Sequence, residues 1–165
     1  MLLDLRRIFV EEIRELPFSG SFSMSDTDIS GSYPFVSPVS YTGTVTAFAG
    51  EARMEAEVTF TFEIPCDRCL KPIRSEYRYR FSHGLVRTLN QEDNDDYIQV
   101  EDEKIDVDEL LRADILLELP SKFLCKPDCK GLCSQCGKDL NEGDCGCNKT
   151  RIDPRLEVLQ QLIQS

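Results

Sequence analysis

The sequence predicts an α+β fold: a largely antiparallel β-sheet, one or two helices packed on it, and a C-terminal Cys-rich appendage. Three observations carry this. Met54, Ala56, Val58, Phe60, Phe62 and Ile64 alternate with Arg53, Glu55, Glu57, Thr59, Thr61 and Glu63. That period of two puts apolar side chains on one face of a strand and polar ones on the other. A second run, Leu110, Leu111, Ile115, Leu116, Leu117 and Leu119, follows Asp106 and Glu109 at capping-box spacing and stops at Pro120, as a helix with one buried side would. Lastly, six cysteines fall between Cys125 and Cys147.

Taken in order, Leu3, Leu5, Ile8, Phe9 and Ile13 suit either a strand followed by a turn or a short helix. Ser19 to Ser32 is rich in Ser, Gly and Asp and reads as a loop. Val39, Tyr41, Val45 and Ala47 share one alternating face, hence a strand, and Gly50-Glu51 suits a hairpin turn into the long strand. Pro65-Cys66-Asp67-Arg68-Cys69-Leu70-Lys71-Pro72 is a turn bounded by prolines. Ile73, Tyr77, Tyr79, Phe81 and Leu85 mark the return strand, so this CxxC sits at a hairpin tip. Asn90 to Asp96 is an acidic loop, and Tyr97 to Val100 a short strand. Asp153-Pro154-Arg155 opens a last helix, whose Leu156, Leu159, Leu162 and Ile163 form a stripe that docks on the protein's own core. Two units result: a sheet domain with its helix over 1–120, and a Cys-rich module with the C-terminal helix over 121–165.

A chain of 165 residues with 41% hydrophobic content can bury a core of its own. No apolar run approaches the ~20 residues of a membrane span, and charges interrupt Met1-Leu2-Leu3-Asp4-Leu5-Arg6-Arg7 too early for a signal peptide. The expected compartment is the cytoplasm, where clustered cysteines are metal ligands or redox groups rather than disulfides. The net charge of −11 argues against non-specific binding to nucleic acid. The charge is uneven, however. Arg68, Lys71, Arg74, Arg78, Arg80 and Arg87 make one stretch basic, and Glu92 to Glu109 is strongly acidic. Solvated faces explain both. The sharper reading makes Arg68, Lys71, Arg74, Arg78 and Arg80 a contact surface for RNA phosphates.

The cysteines carry the chemistry. Cys133-Ser134-Gln135-Cys136-Gly137 has the form of a metal knuckle, and Cys145-Gly146-Cys147 can close the other side. Cys133, Cys136, Cys145 and Cys147 therefore make a first tetrahedral four-thiolate site, with zinc as the ion. Cys66, Cys69, Cys125 and Cys129 remain, enough for a second site that would pin the appendage to the sheet and bring the zinc count from one to two. Six cysteines in so short a segment weigh against free structural thiols. An iron–sulfur cluster uses the same donors. Cys129-x3-Cys133-x2-Cys136 has radical-SAM spacing, but that motif opens a large barrel and this one lies near the end of a short chain. A thioredoxin-like role for Cys66-x-x-Cys69 would need a helix start in a βαβ unit, whereas this pair follows an antiparallel-type strand.

Nothing else suggests catalysis. His83 is the one histidine, placed on a strand surface, and no GxSxG, Walker loop or GxGxxG occurs. A metal closed by four thiolates has no open position for water or substrate.

Cys66-Asp67-Arg68-Cys69-Leu70 on its hairpin resembles the YceD-like family of bacterial and plastid proteins. So do Ile105-Asp106-Val107 before a Leu-rich segment ending in Leu119-Pro120, and the tail from Cys125-Lys126-Pro127-Asp128-Cys129-Lys130-Gly131-Leu132-Cys133 through Cys136-Gly137, Leu140-Asn141 and Asp153-Pro154-Arg155-Leu156. The resemblance implies a non-enzymatic ribosome-biogenesis factor that supports accumulation of large-subunit ribosomal RNA. Its partner would be the RNA, through the basic hairpin, or a basic large-subunit ribosomal protein shielded by the acidic loop. No membrane and no small-molecule substrate are implied. The competing expectation is a thiol redox or metal-transfer protein using Cys66-x-x-Cys69, with Arg68 and Lys71 favouring thiolate.

Overall fold

The structure, a computed structural model, describes residues 1–48, 50–88 and 97–147. The chain opens with β1 (Leu2–Asp4), the short helix α1 (Arg6–Phe9) and β2 (Glu15–Phe22). The long strands β3 (Val39–Phe48), β4 (Glu51–Pro65) and β5 (Pro72–Val86) follow. After β6 (Tyr97–Gln99) and β7 (Lys104–Asp106) comes helix α2 (Val107–Glu118). One sheet runs β2-β3-β4-β5-β6 and a two-stranded ladder joins β1 to β7. The fold is α+β and mostly antiparallel, as the alternating patterns predict.

β4 is the spine. Ala52, Met54, Ala56, Val58, Phe60, Phe62 and Ile64 all face the core, and the charged alternates face solvent. Phe62, only 1% exposed, meets Phe35, Phe60, Tyr77 and Phe123. Over the inner face lies α2, which buries Val107, Leu111 and Ile115 at helical spacing. Asp106 caps it by accepting from the N–H groups of Asp108 and Glu109. It ends at Glu118 because Leu119, before Pro120, is extended. The Tyr41 hydroxyl donates to Asp108 at 2.6 Å and ties the helix to β3.

Two local expectations are corrected, for the stretch from Ser19 and for the apolar stripe of α2. The stretch from Ser19 is not loop throughout, since Ser19 to Phe22 completes β2. Its glycine has a packing cause: Gly20 pairs with Tyr41, and Gly43 pairs with Phe18 in the same ladder. A Cβ on Gly20 would sit 2.4 Å from the Tyr41 Oη, and one on Gly43 would sit 2.3 Å from the Phe18 Cζ. Each aromatic ring lies over the glycine opposite it, and composition alone conceals this. The short strand β6, expected from Tyr97 to Val100, pairs parallel with β5 in an otherwise antiparallel sheet. Leu116 and Leu117 do not join the buried side of α2; Leu117 is 86% exposed. His83 lies on β5 as expected, half-buried and 2.8 Å from Asp114 of α2. The acidic loop of 90–96 and the C-terminal helix lie outside the described residues. Among those residues, no helix is long and apolar enough to cross a membrane.

Candidate metal centre

The β4–β5 hairpin ends in a knuckle. The N–H of Cys66 donates to the Lys71 carbonyl at 2.8 Å, and that of Leu70 to the Cys66 carbonyl at 2.9 Å. The two sulfurs thereby face one side. The tail comes back to meet them. Asp67 and Phe123 exchange two bonds: the Asp67 N–H donates to the Phe123 carbonyl at 2.8 Å, and the Phe123 N–H to the Asp67 carboxylate at 2.7 Å. The Phe123 ring stacks on Phe62 at 5.2 Å, so the docking is continuous with the core. The Leu132 N–H reaches the Arg68 carbonyl at 3.0 Å, and the Arg68 guanidinium donates to the Cys129 carbonyl at 2.6 Å.

These contacts bring Cys66, Cys69, Cys125 and Cys129 together, with all four sulfurs within 4.8 Å of one another. The Cys66–Cys129 and Cys69–Cys125 sulfurs are 3.8 and 3.5 Å apart. Four sulfurs at about 2.3 Å from a central ion lie about 3.8 Å from each other, so the spacing is that of a tetrahedral site. Further donors face the sulfurs. The Cys125 N–H is 3.4 Å from the Cys66 sulfur, and the Asn141 amide is 3.4 Å from that of Cys129. Cys133, Cys136, Cys145 and Cys147 form a second set within the same 4.8 Å limit. Here the Cys133 N–H meets the Lys138 carbonyl and the Gly137 N–H the Cys133 carbonyl, both at 2.9 Å. Both groupings are those the sequence suggests. The first takes two ligands from each side of residue 120, and the second lies within the tail.

The electrostatics ask for a cation. Burial opposes charge on Cys66, yet the N–H groups of Cys125, Arg68 and Cys69 outweigh it and hold that thiol at about 6. The N–H groups of Cys136 and Gln135 bring Cys133 to about 6 as well. Their neighbours go the other way. Contact with Cys69, then burial, pushes Cys125 up to about 12, and contact with Cys136 pushes Cys147 up to about 12. Without an ion, adjacent thiolates repel and part of each set stays protonated; a bound cation lets all four ionise. Donor chemistry and spacing in both sets therefore fit a metal held by four thiolates with no coordination position left open.

The basic residues of the hairpin are not free charges. Lys71 lies 2.9 Å from Asp139 and 3.1 Å from Glu142, and it holds the Asp139 carboxyl down at about 2. Arg74 faces Glu63 at 3.7 Å, while Arg78 and Arg80 share Glu57 at 3.7 and 2.8 Å. Sequence reasoning missed Asp67, Phe123 and Asn141 as parts of the centre. An Asp inside the CxxC was the available hint for the first, and no spacing rule marks the other two.

The family model described as large ribosomal RNA subunit accumulation protein YceD matches residues 54–163. The chain belongs to the YceD family. That match takes in the β4–β5 hairpin and both thiol sets of this YceD-family chain. An uncharacterised protein of Mycobacterium tuberculosis is 34% identical over 102 residues, which are 59% of this chain and 49% of the relative. The uncharacterised protein YlbN of Bacillus subtilis is 29% identical over 135 residues, 78% of this chain and 76% of that protein. The large ribosomal RNA subunit accumulation protein YCED homolog 1, chloroplastic, of Zea mays is 27% identical over 157 residues, 76% of this chain and 53% of the relative. The chain thus spans about half the length of the mycobacterial and maize relatives it matches. No solved structure matches.

Proposed function

We propose that this chain is a non-enzymatic assembly factor of the cytoplasm. It supports accumulation of large-subunit ribosomal RNA by binding that RNA or a large-subunit ribosomal protein, with zinc in both thiolate sites. The observation that carries the reading is the family match running through the hairpin and both metal sets. Closed four-sulfur sites support a structural ion, since they offer substrate no coordination position. Thiolate donors at tetrahedral spacing suit zinc.

Between the two partners, the ion pairs favour the protein. Arg74, Arg78 and Arg80 already face Glu63 and Glu57, which lowers the potential they offer to phosphates. The overall charge of −11 suits a basic ribosomal protein. Gradient sedimentation of tagged protein from gently lysed cells tests the reading: co-migration with large-subunit precursors is expected, and migration only as free protein at low salt refutes it. In the same assay, replacing Arg74, Arg78 and Arg80 with Glu leaves co-migration intact if a protein is the partner and abolishes it if RNA is. The redox or metal-transfer alternative predicts thiols that label in the metal-loaded protein. Here Cys66, Cys69, Cys129 and Cys133 are buried, and labelling only after a chelator is added is expected.

A further inference from the structure

The two knuckles are built alike. In each, the first cysteine's N–H meets a lysine carbonyl five residues on, Lys71 or Lys138, at 2.8 and 2.9 Å. The residue after the second cysteine returns its N–H to the first cysteine's carbonyl at 2.9 Å in both. That residue must take a left-handed backbone, with φ of +73° at Gly137 and +60° at Leu70. Glycine adopts this conformation without a Cβ penalty, whereas a leucine costs on the order of 1 kcal/mol there. The tail knuckle uses the cheap residue; the hairpin knuckle does not. Burial does not offset the difference, because Leu70 is 64% exposed. The apolar residues packed on the hairpin thiols are Ile73, Leu124 and Leu132.

We infer that Leu70 is a docking knob, held out from the tip of the metal knuckle to enter an apolar socket on a basic protein. An aliphatic side chain has no hydrogen bond for a base edge and no ring to stack on a base, so it suits protein rather than RNA. The charge of the tip points the same way. Basic and acidic side chains number five each across residues 66–71 and 125–147. Four thiolates around a divalent ion leave a net −2 at each site, so the loaded tip is negative. A strained, exposed apolar residue at the apex of a rigid hairpin is pre-organised for binding.

The inference rests on the assembly-factor reading, and the test separates the two. Purified large-subunit precursor particles, and protein-free large-subunit ribosomal RNA, are each titrated with wild-type chain and with the Leu70→Gly variant. Thermal midpoint and bound metal are measured alongside. The expected result is that Leu70→Gly keeps both ions, melts no lower than wild type and binds particles at least ten-fold more weakly. Equal particle binding by the two chains overturns the knob and leaves the assembly-factor reading in place. A fall in midpoint or metal content makes Leu70 a structural residue and also overturns it. An equal loss on protein-free RNA overturns the protein socket. Absence of wild-type binding to particles removes the assembly-factor reading and the knob with it.

Discussion

Replacing Cys66 and Cys69 together with serine should remove one metal ion and loosen the whole domain, whereas replacing Cys145 and Cys147 should remove one ion and leave the sheet almost untouched. The asymmetry follows from connectivity. The first set joins residues 56 apart in the chain, such as Cys69 and Cys125, and its docking continues through Phe123 onto Phe62. A cross-link closing a loop of that length restrains the unfolded chain by about 4 kcal/mol. In a chain of this size that corresponds to a fall of about 8–16 °C in melting midpoint. The second set closes a loop of about 15 residues worth about 3 kcal/mol, but its effect stays within the tail. Native mass spectrometry counts the ions, and far-ultraviolet circular dichroism follows the sheet. Equal falls in midpoint for the two variants, or fewer than two ions on the wild type, would refute this reasoning.

Gly43→Ala should destabilise the β2–β3–β4 ladder by about 1–3 kcal/mol or more in denaturant titration, because the new Cβ would meet the Phe18 ring at 2.3 Å and the Glu55 carbonyl at 2.4 Å. Tyr41→Phe should cost about 1.5–3 kcal/mol, the range for a hydrogen bond to a charged partner, while leaving both ions bound. Burial, then the bond to Asp108, raises the Tyr41 hydroxyl above its usual 10.0. Its contribution is therefore complete below pH 10.0 and lost as pH rises further. Wild type should lose stability above that pH more steeply than Tyr41→Phe, as alkaline denaturation curves will show. Lys71→Ala breaks the ion pairs to Asp139 and Glu142, but at an exposed site, so calorimetry should register less than about 1 kcal/mol.

The fold was legible wherever a face is half-buried and strictly alternating, as in β4, or where a cap and a proline bracket a helix, as in α2. It was illegible where a residue's role depends on the strand opposite. Gly20 and Ser21 look like loop until Tyr41 is seen lying over the glycine. The parallel pairing of β6 with β5 is likewise encoded by no residue in Tyr97–Gln99, where the sequence marks a strand and not its direction. The thiol sets could be grouped from the sequence because cysteine number and spacing are nearly sufficient for a four-sulfur site. Phe123 and Asn141 could not be assigned, since a ring stacked on Phe62 and an amide facing the Cys129 sulfur are facts of tertiary placement. Arg74, Arg78 and Arg80 read as a basic stripe in one dimension, yet Glu57 and Glu63 beside them on β4 make it a mixed one.

Because the hairpin thiols wait for partners far down the chain, the order of synthesis matters. Cys69 leaves the ribosome 56 residues ahead of Cys125. At about 5–20 residues per second, the hairpin spends about 3–11 s with two thiols and no companions. A loaded first site therefore marks a chain whose tail has been made and has docked. A chain stopped before residue 125 keeps its longest strands and lacks the clasp that locks them. Such a fragment should be the form that cellular proteases remove first.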